Sequence, residues 1–228
     1  MVEAGAAPVG EDYLRPGRYV DSDHPAIAAF AARAAAGESD PVAAAVKLYY
    51  AVRDGVLYDP YVPSDDPDTY RASAVLAKGR GYCVGKASLL AAAARTRGIA
   101  ARVAFADVRN HLATPRLLEL IGTDIFIYHG ITELWLDGRW IKATPTFNLT
   151  LCEKFRIHPL EFDGRADAVF HPFDRDGRQH MEYLRQRGSY ADVPVEILMP
   201  AMLVAYPRLA QVGKAPRGDF AREAEEQC

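Results

Sequence analysis

Cys83 is the residue of this 228-residue chain whose surroundings point most directly to covalent chemistry. It stands in Gly79-Arg80-Gly81-Tyr82-Cys83-Val84-Gly85-Lys86-Ala87-Ser88-Leu89-Leu90, where a glycine-rich turn runs into an alanine- and leucine-rich helix. The two glycines free the backbone ahead of that helix. Its unpaired N–H groups and its dipole favour negative charge close by, so the setting is expected to lower the thiol pKa. A cysteine needed only for packing belongs inside the helix, facing the core; this one reads as a nucleophile. A catalytic cysteine needs a base, and histidine is the usual one near neutral pH. Of His24, His111, His129, His158, His171 and His180, His129 has the best context. It sits on or just before a strand, Gly130 to Leu136, that would hold the imidazole more rigidly than a loop.

The elements that must position this pair are legible from local signals. A first helix is expected over 25–36, with Asp23 or His24 near its cap. A second follows Asp40-Pro41, an N-cap acid with proline at N1, and ends at Gly55. A short helix reaches Lys78, and the cysteine-bearing helix runs to Arg97 and stops at Gly98. A buried strand is expected over 99–108 and a short helix over 115–121. The clearest hairpin runs from Phe126 to Leu136, turns at Asp137-Gly138 and returns over Arg139 to Thr144. Residues 146–194 read as irregular, and 196–209 as a last apolar element. Helices first, then a nucleophile helix, then antiparallel strands give an α+β fold, with the nucleophile helix packed on an antiparallel β-sheet.

The order of these features resembles the transglutaminase-like superfamily. Three features carry the resemblance: Gly-Tyr-Cys at a helix start, Gly98-Ile99-Ala100-Ala101-Arg102-Val103 after that helix, and a histidine strand ending in Asp-Gly-Arg-Trp. It covers roughly residues 40–147 and implies a papain-like core with cysteine at a helix N-terminus against histidine and aspartate on adjacent strands. Where many members read His-Ala-Trp-x-Glu, His129 and Glu133 match and Ile131 replaces the tryptophan. Where many continue Trp-Val-x-x-Asp-Pro-Thr, this chain has Trp140-Ile141-Lys142-Ala143-Thr144-Pro145-Thr146, so Thr144 stands at the aspartate position. A threonine hydroxyl accepts a hydrogen bond from imidazole but supplies no negative charge. Three readings stay open: a Cys83–His129 dyad helped by Thr144, a substitute acceptor among Asn148, Asp124 and Asp163, or an inactive domain. Asn148 is attractive because an asparagine fills this role in papain-like sites.

The activity implied is cysteine-dependent acyl transfer on a peptide or small amide through a thioester, with hydrolysis slightly preferred. Amide-bond formation with an amine acceptor and a non-catalytic peptide-binding module are the alternatives. Tyr82, Glu133 and Asp163 are candidate substrate contacts. Neither cofactor nor metal is expected: CxxC, HxxxH and DxDxDG patterns are absent, as is a Walker-type loop. The net charge of -3 gives no reason to expect nucleic acid or an acidic membrane as partner. The longest apolar run, Ile197 to Tyr206, is too short for a bilayer. Three widely spaced cysteines do not form a disulfide framework, so a cytoplasmic protein is expected. Domain organisation is read as an N-terminal arm over 1–19, one domain over 20–212 with a groove-capping extension from 148, and a flexible tail over 213–228.

Overall fold

The computed structural model describes residues 10–63, 65–208 and 219–226. Helix α1 (Pro25–Ala34) is capped by His24, whose Nδ1 accepts from the Ala26 N–H at 3.2 Å. Helix α2 (Pro41–Gly55) is capped by the Asp40 carboxylate on the Ala43 N–H at 2.9 Å. Strand β1 (Leu57–Tyr58), helix α3 (Ala72–Lys78) and strand β2 (Arg80–Gly81) lead to helix α4 (Cys83–Thr96). β1 and β2 pair in parallel. Then come β3 (Ala101–Asn110), α5 (Pro115–Ile121), β4 (Ile125–Leu136), β5 (Arg139–Ala143), α6 (Leu149–Lys154), β6 (Met181–Tyr190), α7 (Val195–Ala205) and α8 (Phe220–Glu226). The four long strands form one antiparallel sheet in the order β5-β4-β3-β6. The fold is α+β.

Helix α4 is the axle of the domain. It packs on β4, with α1, α2 and α3 around its other sides. Every residue from Val84 to Arg95 is buried, including four consecutive alanines, Ala91 to Ala94. Burial on all sides explains why this helix lacks a polar face, and the small side chains let its neighbours approach closely. Its one lysine there, Lys86, is fully enclosed. The Lys86 Nζ donates to the Arg53 and Val56 carbonyls at 2.9 and 2.5 Å, satisfying acceptors left open at the end of α2. Burial pulls this amine down to about 7, against the pull of Asp54.

Residues 10–19 are not an extended arm. The Asp192 carboxylate accepts from the Arg18 and Val20 N–H groups at 2.6 and 2.8 Å, and Tyr13 packs edge-on against Trp140. Residues 1–9 lie outside the described residues. The region after 148 likewise does more than cap a groove, because β6 completes the sheet beside β3. Of the expected tail, 219–226 carry α8, whose Phe220 is buried against Tyr58, Tyr61 and Phe155. Residues 213–218, 227 and Cys228 lie outside the described residues. Among the described residues, no helix is long and apolar enough to cross a membrane.

Candidate active site

The backbone ahead of α4 makes the turn that the sequence implies. Gly79 ends α3 with φ +62°, a left-handed geometry that costs glycine little, and Tyr82 then caps α4 in an extended conformation. Cys83 is thus the first residue of α4, and its sulfur faces a pocket that His129 also lines. The backbone N–H groups of Gly130, Val84 and Cys83 favour its thiolate.

Gly130 explains how strand and helix meet there. A Cβ at that position would lie 2.7 Å from Val84 Cα and 3.1 Å from the Cys83 carbonyl oxygen. Only a residue without a side chain allows β4 to press its backbone onto the helix start, and Cys83 and His129 line one pocket beside that approach. One residue earlier, β4 is kinked. Tyr128 adopts φ +54°, beside a bulge in the β3–β4 ladder between Ala106 and Val108. The Asp107 carboxylate holds this irregularity by accepting from the Tyr128 N–H at 3.2 Å. Arg187 of β6 in turn grips Asp107 through two bonds of 2.8 and 2.7 Å, its guanidinium 4.6 Å over the Tyr128 ring. A bulge here re-aims the next side chain, His129, towards the pocket.

The electrostatics differ from the expectation of a lowered thiol pKa. Burial pushes the Cys83 thiol up to about 11, outweighing the three N–H groups that favour its thiolate. Cys83 is only half-buried as a residue, yet its sulfur lies inside the pocket, and desolvation governs it. Burial also pulls His129 down to about 3. Its Nε2 has no hydrogen-bond partner, and Phe170 and Tyr183 lie over the ring with centroids 5.0 and 6.5 Å away. The resting site therefore holds a neutral thiol and a neutral imidazole rather than an ion pair.

Residues 28–145, just over half of the chain, match the transglutaminase-like superfamily. This chain belongs to that superfamily. The matched stretch contains Cys83, His129 and Thr144, so the transglutaminase-like core ends as β5 gives way to the loop after Ala143. Among curated proteins none matches. A solved structure of a proposed cysteine protease from Cytophaga hutchinsonii is similar over 78% of this chain and 53% of that one, with 16% identity and a TM-score of 0.45. The chain spans about half the length of that protein, a likeness too distant to establish a shared fold.

Within this core the expected residues separate into two groups. Cys83, His129 and Tyr82 line one pocket. Thr144 is buried, but its hydroxyl makes no hydrogen bond, so the bond expected between it and His129 is not formed. Asn148 is committed elsewhere: its Oδ1 accepts from the Tyr58 N–H at 3.1 Å and its Nδ2 donates to Thr150 at 2.7 Å. It fixes β1, and with it Tyr58 in the pocket wall, rather than His129. Glu133 is bound by Arg102 at 2.5 Å and Ser189 at 2.8 Å on neighbouring strands, away from the pocket. Asp163 is exposed and closes a turn onto the Arg165 and Ala166 N–H groups. Asp124 pairs with Arg109 at 3.3 Å. Neither Asp163 nor Asp124 lines the pocket.

Other residues of the site carry no local signal. Thr146 lines the pocket, is 1% exposed, and has an unpartnered hydroxyl. Phe170, Met181, Met202 and Tyr206 reach it from beyond residue 148. Cys152 is buried, and burial pushes its thiol up to about 12. Among the described residues, no group of three His, Cys, Asp or Glu side chains is arranged to hold a metal ion.

Proposed function

We propose that this protein is a cysteine-dependent acyl-transfer enzyme acting on an amide or peptide bond, with water as the preferred acceptor. The observation that carries this reading is that Cys83, the first residue of α4, and His129 line one pocket where the Gly130 backbone presses onto the helix start. Cys83 attacks the carbonyl and His129 takes the thiol proton, then delivers it to the leaving amine as a thioester forms. The backbone N–H groups that favour the thiolate also stabilise the oxyanion. Transfer of the proton during attack suits a pair that rests neutral. Among the described residues no carboxylate lines the pocket to pair with an ammonium group, and this supports water over transamidation.

A non-catalytic module that holds a peptide in the same pocket is the second reading. The missing partner of His129 Nε2 and the neutral resting pair favour it. Ester and anilide hydrolysis by the protein, Cys83→Ala and His129→Ala separates the two. Turnover lost in both variants supports the enzyme; no turnover, with undiminished peptide binding by Cys83→Ala, supports the module. Added primary amine that diverts the acyl group from water would overturn the preference for hydrolysis.

A further inference from the structure

The pocket that holds Cys83 and His129 has an unusual wall. Twenty residues form it, and none is Asp, Glu, Lys or Arg among the described residues. Past His129 the pocket follows β4 along Ile127 and Phe126, and is closed by Leu117 and Ile121 of α5, Val108 of β3 and Met202 of α7. Tyr206 also faces it, but its hydroxyl is occupied, accepting from the Ile127 N–H at 2.6 Å and donating to the Ile125 carbonyl at 2.8 Å. The buried polar atoms of this wall without a partner are the Thr146 and Tyr82 hydroxyls and His129 Nε2. Such a group loses its hydration without compensation unless a ligand supplies a partner. The free space is about 70 Å³. That is roughly half of a cavity of about 150 Å³ that takes up benzene, so it suits a few methylene groups rather than an aromatic ring.

We propose that the acyl group accepted by Cys83 is a short, uncharged aliphatic chain seated against Val108, Leu117, Ile121 and Ile127. This rests on the acyl-transfer reading above. A charged acyl group finds no counter-ion in this wall and would surrender its hydration on entry. Each methylene that fits gains about fourfold in acylation, equivalent to about 0.8 kcal/mol. The Cys83 sulfur forms its bond to the acyl carbon as the bond to the leaving group breaks. The thiol proton passes through His129 to that leaving group, and water later releases the acid and restores the thiol.

The test is the rate of Cys83 acylation by p-nitrophenyl acetate, butyrate, octanoate and benzoate and by the mono-p-nitrophenyl ester of glutaric acid. It is followed by p-nitrophenolate release and by the acyl mass on the Cys83 peptide. Butyrate should exceed acetate about fifteenfold, octanoate and benzoate should gain nothing over butyrate, and the glutarate ester should be at least tenfold slower than butyrate. Ile121→Ala, which enlarges the far wall, should move the preference towards octanoate. Equal rates for acetate and butyrate, or a glutarate ester as fast as butyrate, would overturn the aliphatic assignment while leaving the nucleophile in place. Failure of every ester to acylate Cys83 would remove the acyl-transfer reading and this assignment together.

Discussion

Acid should loosen this domain in a way that traces to His129. The unfolded chain protonates this histidine near 6.5, whereas burial holds the folded group down to about 3. Protons therefore bind the unfolded state first. The native state keeps its full advantage above pH 6.5 and loses it progressively as pH falls towards 3. With about 1.4 kcal/mol for each tenfold change in proton concentration, lowering the pH to 5 costs about 2 kcal/mol at this site. His180, pulled down to about 4 mainly by burial, adds about 2 kcal/mol over the same interval. Asp163 and Asp176, held below the ordinary carboxylate range by hydrogen bonds, lose their charge only below pH 5. Urea unfolding at pH 8 and pH 5 measures the loss directly. Lys86, pulled down to about 7 by burial, adds about 1 kcal/mol between pH 8 and pH 7. The protein should therefore lose about 5 kcal/mol between these conditions and His129→Phe about 3 kcal/mol, whatever the variant's absolute stability. An equal loss in both proteins would refute the claim that His129 is held neutral by burial.

Gly130→Ala should drive β4 off the start of α4, because the new methyl meets backbone rather than a flexible side chain. A loss of about 1–3 kcal/mol is expected, together with slower Cys83 acylation, read by urea unfolding and by ester kinetics. Alkylation by iodoacetamide should favour Cys83 over Cys152 at every pH, since one lines the pocket and the other is closed off. The Cys83 rate should keep climbing towards pH 11 rather than level off in the neutral range; a plateau below pH 7 would mean that an ion pair forms after all. Thr144→Asp should raise the His129 pKa, followed by NMR titration of its ring protons. An unchanged titration would show that residue 144 is not where a partner for Nε2 belongs.

What the chain reveals and what it hides divide along physical lines. The caps of α1, α2 and α5 and the Asp137-Gly138 turn are written in adjacent residues, so these elements could be read locally. So could Cys83 at a helix start and His129 on a strand. Strand β6 could not: its middle, Leu184 to Gln186, faces water, and it lacks the apolar alternation that marks a strand. Its partners are set by β3, some 80 residues away, through two register shifts. Thr146, Phe170 and Tyr183 enter the site by the same long-range route. The sign of the thiol shift was hidden for a different reason. Helix-start N–H groups are local, but the desolvation that outweighs them depends on what the rest of the chain folds over the sulfur. Asn148 reads as a partner for His129 by proximity in sequence, yet its amide is consumed in holding β1.

The acyl-enzyme itself tests the central claim most directly. The protein is mixed with p-nitrophenyl acetate, quenched in acid during turnover and digested for mass spectrometry. An acetyl mass on the peptide containing Cys83, removed by neutral hydroxylamine and absent from His129→Ala, is the predicted result. Turnover with no acetyl group on Cys83, or an acetyl group found on Cys152 instead, would contradict the account.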